Sequence, residues 1–201
     1  MTAGAATGET MQLWFLGTRT YLHSTTLFDA LSPRIAGAER ISLRMARLVP
    51  SDRIRVDSLA DHAQDAPSYA ATLHWLRDGD RHAIGVAELP PSHAPSRKPF
   101  DEGAIVRRAQ FDARTANCGF DAAAGFIQTL VALNKALLQR VVQPRSEGQW
   151  LFARLELDRY VGAWSALSLT YRSQIGVSIV SSAISVDGRA AGTLLFSWRD
   201  Q

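Results

Sequence analysis

The sequence predicts an α+β protein that makes one unit twice, each unit an antiparallel sheet against a single helix. Segments 41–48 (Ile-Ser-Leu-Arg-Met-Ala-Arg-Leu) and 150–157 (Trp-Leu-Phe-Ala-Arg-Leu-Glu-Leu) share one apolar-polar alternation, and Asp78-Gly79 recurs as Asp187-Gly188; both recurrences lie 109 residues apart. One offset across two unlike elements points to a duplicated unit of about 100 residues, an ordinary domain size. Between the copies stand Pro90, Pro91, Pro95 and Pro99, and proline fits neither a helix interior nor a central strand. The expected division is residues 11–89 for the first repeat, 90–102 for a Pro-rich linker and 103–201 for the second repeat.

In the first repeat, residues 13–22 are aromatic and apolar and read as a strand. Ser24, Thr25 or Thr26 can then cap a helix whose apolar positions Leu27, Phe28, Leu31 and Ile35 recur at helical spacing until Gly37, with Pro33 weakening it. Alternating segments follow at 41–49, 54–59, 69–76 and 82–89, the last two joined at Asp78-Gly79. An Asp-Gly pair between alternating runs is a hairpin signal.

The second repeat has the same order. Residues 104–111 read as a strand, and 120–142 as the chain's strongest helix, with Phe126, Ile127, Leu130, Leu133, Leu137, Leu138 and Val141 at spacings of three and four among alanines. Strands are expected at 150–157, 167–171, 177–186 and 191–198, the last two joined at Asp187-Gly188. The second repeat gains about 18 residues before its later strands, and a helix longer by that much would extend about 27 Å further. Part of the gain is therefore loop, expected at Asn117-Cys118-Gly119 and at 145–148.

Composition narrows the function classes. With 201 residues, 46% hydrophobic and 20% charged, the chain can bury a core and is neither disordered nor fibrous. The first ten residues lack the basic start and apolar stretch of a secretory signal, and no run reaches the roughly 20 apolar residues of a membrane span; a soluble, cytoplasmic protein with a loose N-terminal tail is expected. Cys118 is the only cysteine, which excludes an internal disulfide and a thiolate cluster. The net charge is +3, and Lys98 and Lys135 are the only lysines. Arginine pairs bidentately with carboxylates and phosphates, so an acidic partner such as a carrier protein or a nucleotide-bearing thioester fits, while scattered basic residues without an aromatic-basic cluster argue against nucleic acid.

Missing motifs exclude more. The sequence has no Gly-x-Ser-x-Gly elbow, no phosphate-binding Gly-rich loop ending in Lys-Ser/Thr and no His-Glu-x-x-His, the minimum parts of serine hydrolases, nucleotidases and zinc proteases. His62, His74, His82 and His93 stand at no metal-ligand spacing. Neither a metal nor another cofactor is expected.

Two segments carry a resemblance. Residues 21–31 (Tyr-Leu-His-Ser-Thr-Thr-Leu-Phe-Asp-Ala-Leu) and 117–128 (Asn-Cys-Gly-Phe-Asp-Ala-Ala-Ala-Gly-Phe-Ile-Gln) both stand where a strand is expected to hand over to the central helix. With an antiparallel sheet wrapped around a long helix, made twice, the chain resembles the hot-dog superfamily in its double form, across nearly its whole length. The resemblance implies acyl groups carried as thioesters on coenzyme A or an acyl carrier protein, and pairing of hot-dog units into a homodimer or heterodimer. In the double hot-dog dehydratases of polyketide and fatty-acid synthesis, a His from one half faces an Asp or Glu from the other, and here His23 and Asp121 hold the matching positions. The family's first motif has Gly four residues and Pro nine residues after the His, where this chain has Leu27 and Ser32, with Pro33 one place later. Its second has Gln or His four after the Asp, where this chain has Gly125, with Gln128 a turn further on. The Asn-Gly-His-Val-Asn type of hot-dog thioesterases resembles residues 117–121 with Gly119 in place of the His.

The pairing is chemically coherent. Eliminating water from a β-hydroxyacyl thioester needs a base for the α-proton and an acid for the departing hydroxyl; an imidazole suits the first and a carboxyl kept protonated in a dry pocket the second. The start of the long helix could aim free N–H groups at the thioester carbonyl, with Gly119 and Gly125 allowing close approach. Expected site residues are therefore His23 and Asp121 for catalysis and Tyr21, Asn117, Gly119, Gly125 and Gln128 for substrate. Each has a plainer reading: Asp121 as a helix-start residue favoured by the dipole, His23 as a satisfied buried or a surface histidine, Asn117 as a turn residue, Gln128 as a helix-interface group, Tyr21 as packing. Cys118 reads as a small hydrophobe. A dehydratase is the leading expectation, a thioesterase or acyltransferase the next, and a non-catalytic subunit binding an acyl chain or an active partner the rival from another class.

Overall fold

The structure is a computed structural model describing residues 8–60, 68–142, 147–176 and 178–200. His62, the first half of the loop expected at 145–148 and the first residue of the strand expected at 177–186 lie outside the described residues. The chain divides into two compact units, Met1–Phe100 and Asp101–Gln201.

The first unit contains β1 (Glu9–Gln12), β2 (Phe15–Leu16), α1 (Ser24–Ile35), β3 (Glu39–Met45), β4 (Arg53–Ser58), β5 (Ala71–Arg77), β6 (Asp80–Glu88) and β7 (Arg97–Lys98). Its sheet runs β1-β4-β6-β5-β3, every neighbouring pair antiparallel. Helix α1 forms as its spacing predicts, with Leu27, Phe28, Leu31 and Ile35 buried. Pro33 sits inside it and cannot donate to the Asp29 carbonyl four residues back. The Ser32 hydroxyl does so instead, at 2.8 Å. The β5–β6 hairpin closes at Asp78 and Gly79, both left-handed at φ 54° and 87°, the two-residue turn that an Asp-Gly pair favours.

The strand expected at 13–22 does not form. Leu13, Phe15, Leu16 and Leu22 are buried as an apolar run requires, but by other means. The Leu13 N–H donates to the Asp52 carbonyl at 2.8 Å, β2 pairs in parallel with β7 over two residues, and Leu22 makes one isolated bridge to Val49. Backbone groups satisfied one by one leave no ladder to extend. Part of the Pro-rich stretch thus binds within the first unit: Ser92 donates its N–H and hydroxyl to the buried Asp52 carboxylate at 2.9 and 2.6 Å, and the Lys98 ammonium lies 3.3 Å from the centre of the Trp14 ring.

The second unit contains α2 (Glu102–Arg108), β8 (Gln110–Phe111), β9 (Thr115–Gly119), α3 (Phe126–Val141), β10 (Gly148–Arg159), β11 (Ala166–Ile175), β12 (Ile179–Val186) and β13 (Arg189–Asp200). Its sheet runs β8-β9-β11-β12-β13-β10, again antiparallel throughout. Most of the strand expected at 104–111 is helix α2. The Asp101 carboxylate accepts the Ala104 N–H at 2.9 Å, Glu102 stands in the first turn and Arg107 and Arg108 in the last, a cap and a charge order that complement the helix dipole. The long helix starts at Phe126 instead of 120, because Asp121 accepts the Ala123 N–H at 3.0 Å and closes a local turn before it. Asn117, Cys118 and Gly119, expected in a loop, are strand β9.

Helix α3 packs on β9, β11 and α2, with Ile127, Leu130, Leu133, Leu137 and Leu138 fully buried. Burial of five such side chains amounts to about 10 kcal/mol of favourable transfer free energy before entropy is counted. Trp75, Trp150 and Trp198 lie on strands as expected, whereas Trp14 lies outside the strands. No helix among the described residues is long and apolar enough to cross a membrane.

Candidate functional site

In the first unit His23 directly precedes α1, with φ −73° and ψ 142°. This extended residue joins the apolar bridge at Leu22 to the helix, and the turn buries its ring. Nδ1 lies 2.8 Å from Thr25 Oγ1. When Nδ1–H donates to that hydroxyl, Nε2 carries the lone pair, the tautomer a general base requires. Tyr21, two residues earlier, is half-buried.

In the second unit β9 alternates. Ala116 and Cys118 are buried, while Asn117 and Gly119 are exposed on the opposite face. Burial pushes the Cys118 thiol up, the Arg108 charge pulls it down and the Asp121 charge raises it again, for a net rise. Its Sγ donates to the Gly119 carbonyl at 3.3 Å, so this cysteine behaves as the small buried side chain the sequence suggested. Asp121 follows β9 by two residues, and its carboxylate pairs with Arg108 of α2 and accepts the Ala123 N–H. Gly125 is the exposed residue that opens α3, a helix start with no side-chain cap. Gln128 is half-buried one turn in and already holds a polar contact.

Asn117 and Gly119 line one cavity of about 400 Å³ together with Arg108, Gln110, Ser168 and Ser185. Arg108 connects its wall to Asp121. Gly125 and Gln128 do not line it. Beside Asp121, Phe120 is 60% exposed and stacks edge-on against Trp164 at 5.4 Å, with Phe126 at 6.4 Å on the same indole. The sequence reading missed Arg108, Gln110, Ser168, Ser185 and Trp164. Only strand register unites the serines with Asn117, and the alternation over 104–111 reads as a strand where the structure has the helix that presents Arg108. Among the described residues no group of three or more His, Cys, Asp or Glu side chains could hold a metal ion.

No family model matches the sequence, and no curated protein sequence matches it. Solved structures do. The dehydratase domain of PpsC from Mycobacterium tuberculosis, determined in complex with C12:1-CoA, aligns over 96% of this chain and 93% of its own at 10% identity and a TM-score of 0.50. The GphF dehydratase aligns over 96% and 92% at 13% identity, also at 0.50. The chain has the hot-dog fold. A thioesterase II from Thermobifida fusca is similar over 91% and 88% at 11% identity and a TM-score of 0.49. In hot-dog terms α3 is the helix in the second unit's sheet, and the 400 Å³ cavity lies on β8, β9, β11 and the β12–β13 turn.

Proposed function

We propose that this chain acts on acyl thioesters as a tandem pair of hot-dog units, with a β-hydroxyacyl dehydratase as the leading activity. The observation that carries the reading is His23: a buried imidazole at the junction of extended chain and helix, its Nδ1 engaged by Thr25. The shared fold with two dehydratase domains supports it, one of them determined with an acyl-coenzyme A. In this reading His23 Nε2 takes the α-proton of a β-hydroxyacyl group carried on an acyl carrier protein or coenzyme A. The Asp121 carboxyl gives its proton to the departing β-hydroxyl, and the products are water and the α,β-unsaturated thioester. The uncapped start of α3 at Gly125 presents N–H groups that stabilise charge developing on the thioester oxygen. Tyr21, Asn117, Gly119 and Gln128 position the substrate.

The ion pair between Arg108 and Asp121 favours a second reading, in which Asp121 is a structural anion and the chain either hydrolyses the thioester or binds it as a non-catalytic subunit of a homodimer or heterodimer. Intact mass spectrometry separates these. Carrier-bound and coenzyme-A β-hydroxyacyl substrates are incubated with wild type, His23→Ala and Asp121→Asn. Loss of water in wild type and in neither variant is the expected result. Release of the whole acyl group moves the assignment to a thioesterase, and substrates unchanged by wild type sink both enzymatic readings.

A further inference from the structure

We infer that the outer face of the second unit's sheet binds an extended, uncharged chain carrying amide groups. Resting on the thioester reading above, that chain is the pantetheine arm that carries the acyl group.

The inference comes from register. Gln110 on β8 stands opposite Asn117 on β9, Asn117 opposite Ser168 on β11, and Ser168 opposite Ser185 on β12. Directly opposed residues of antiparallel strands point to one face. Their chain neighbours Ala116, Cys118, Leu167, Leu169 and Ile184 are buried on the other face, so the four side chains form one polar row directed outward. At about 4.8 Å between strands the row spans about 14 Å. Every member can both donate and accept a hydrogen bond, and none of the four side chains is engaged by another group among the described residues.

Beside this row Gly119 stands opposite Ala166. The pair supplies one methyl group between them and leaves the trough that forms part of the 400 Å³ cavity. Among the described residues the only charged side chain in its wall is Arg108, already paired with Asp121. A phosphate finds no unpaired cation there. A chain of amides finds partners for both its N–H and C=O groups, and the two amides and secondary hydroxyl of the pantetheine arm have that chemistry. Arg108 stands in the wall of the same cavity, and its ion pair with Asp121 joins that wall to the segment that would meet the arm's thioester end.

Pantetheine itself, without phosphate or acyl group, is the first probe, titrated into the full chain by calorimetry and by amide chemical shifts. Two variants test the row. Asn117→Ala combined with Ser168→Ala removes two hydrogen-bond partners and weakens binding about tenfold. Gly119→Val fills the trough and abolishes binding; it suits a strand, and a Cβ at this position meets nothing closer than the Ser165 carbonyl at 3.9 Å. Unchanged denaturation midpoints confirm that both variants fold. With thioester substrates, the double variant raises KM about tenfold for a pantetheine thioester, leaves kcat intact, and changes KM far less for an N-acetylcysteamine thioester, which lacks one amide. Pantetheine binding that is absent in wild type, or indifferent to both variants, overturns the site. Row-dependent binding by a protein that turns over no thioester upholds the site while the enzymatic reading falls. Turnover with no loss in either variant does the reverse.

Discussion

The two units contain the same hairpin inserted in opposite senses. In the first, β5 and β6 join at Asp78-Gly79 and the order is β4-β6-β5-β3; in the second, β12 and β13 join at Asp187-Gly188 and the order is β11-β12-β13-β10. The strand before the hairpin therefore pairs with the hairpin's second arm in one unit and its first arm in the other. Both turns have the same left-handed pair of residues, at φ 54° and 87° and at φ 50° and 76°, so turn chemistry does not distinguish the units. The preceding connection does. Residues 176–178 join β11 to β12, a link that permits only antiparallel neighbours, whereas residues 59–70 join β4 to β5. These two strands run parallel with β6 between them, and parallel strands need a crossover of about a dozen residues. Local sequence makes a hairpin; the length of chain ahead of it decides which arm meets the sheet.

The largest expected effect comes from changing those lengths. Deleting residues 61–67 leaves too little chain to pass β6, because Leu59 and Ala70 are themselves bonded to Ala83 and Val86 of that strand. The first unit's sheet should then lose cooperative folding, seen as lost amide-exchange protection in β4 and β5. Adding four Gly/Ser residues within 176–178 should cost only about 0.5–1 kcal/mol, since loop entropy grows slowly with length. A deletion variant that keeps native protection would show that connection length does not set the order.

Next in size is a pair of glycines on corresponding strands. Gly192 on β13 has φ 152°, and a Cβ there would lie 1.9 Å from the Glu156 carbonyl oxygen. A Cβ on Gly85 of β6 would instead meet the Tyr69 ring at 2.6 Å. Backbone cannot yield and an aromatic ring can swing aside, so Gly192→Ala should cost more than about 3 kcal/mol and Gly85→Ala about 1–2 kcal/mol in urea denaturation. Equal costs would place the rigidity of both strands somewhere other than these close approaches.

The smallest effect is in acid. Burial pushes the Asp52 carboxyl up, but the bonds from Ser92 outweigh it, with help from Gln12, and hold it below the usual carboxylate range. In the second unit the Ala104 N–H, followed by Arg107, lowers the exposed Asp101. A depressed carboxyl stabilises the fold where it is ionised, so each contribution is complete above the ordinary value near pH 4 and is lost as pH falls through the folded value. Thermal midpoints from pH 6 down to pH 2 should fall less in Asp52→Asn than in wild type, and Asp101→Asn should change that slope less than Asp52→Asn does, because its site is solvated. Parallel curves for Asp52→Asn and wild type would remove Asp52 from the acid response.

How legible each part was follows from the physics behind it. Helix α1, the Asp-Gly turns and the later strands were visible because periodicity and turn chemistry are local. The strand expected at 13–22 failed because burial of an apolar run does not require a ladder, and helix α2 was missed because the Asp101 cap and the ordered charges around it outweigh a short alternation. The sequence predicts the start of α3 six residues ahead of where it lies: Ala122 and Ala123 carry high helix propensity, yet the Asp121 turn claims them first. Sheet order was illegible, since the alternation of a strand says nothing about its neighbour. For the same reason Asn117 and Gly119 could be singled out, but Gln110, Ser168 and Ser185 could not be joined to them until the register was known.

The Asp52–Ser92 contact bears on any attempt to excise the first unit. The proline pattern invites a cut near residue 90, and a chain ending there would leave a fully buried carboxylate without its two bonds from Ser92 and would strip β2 of its partner β7. A cut between Phe100 and Asp101 keeps both and leaves the second piece its helix cap. The cut that keeps these bonds lies after the prolines, at the point where one helix takes its first hydrogen bond.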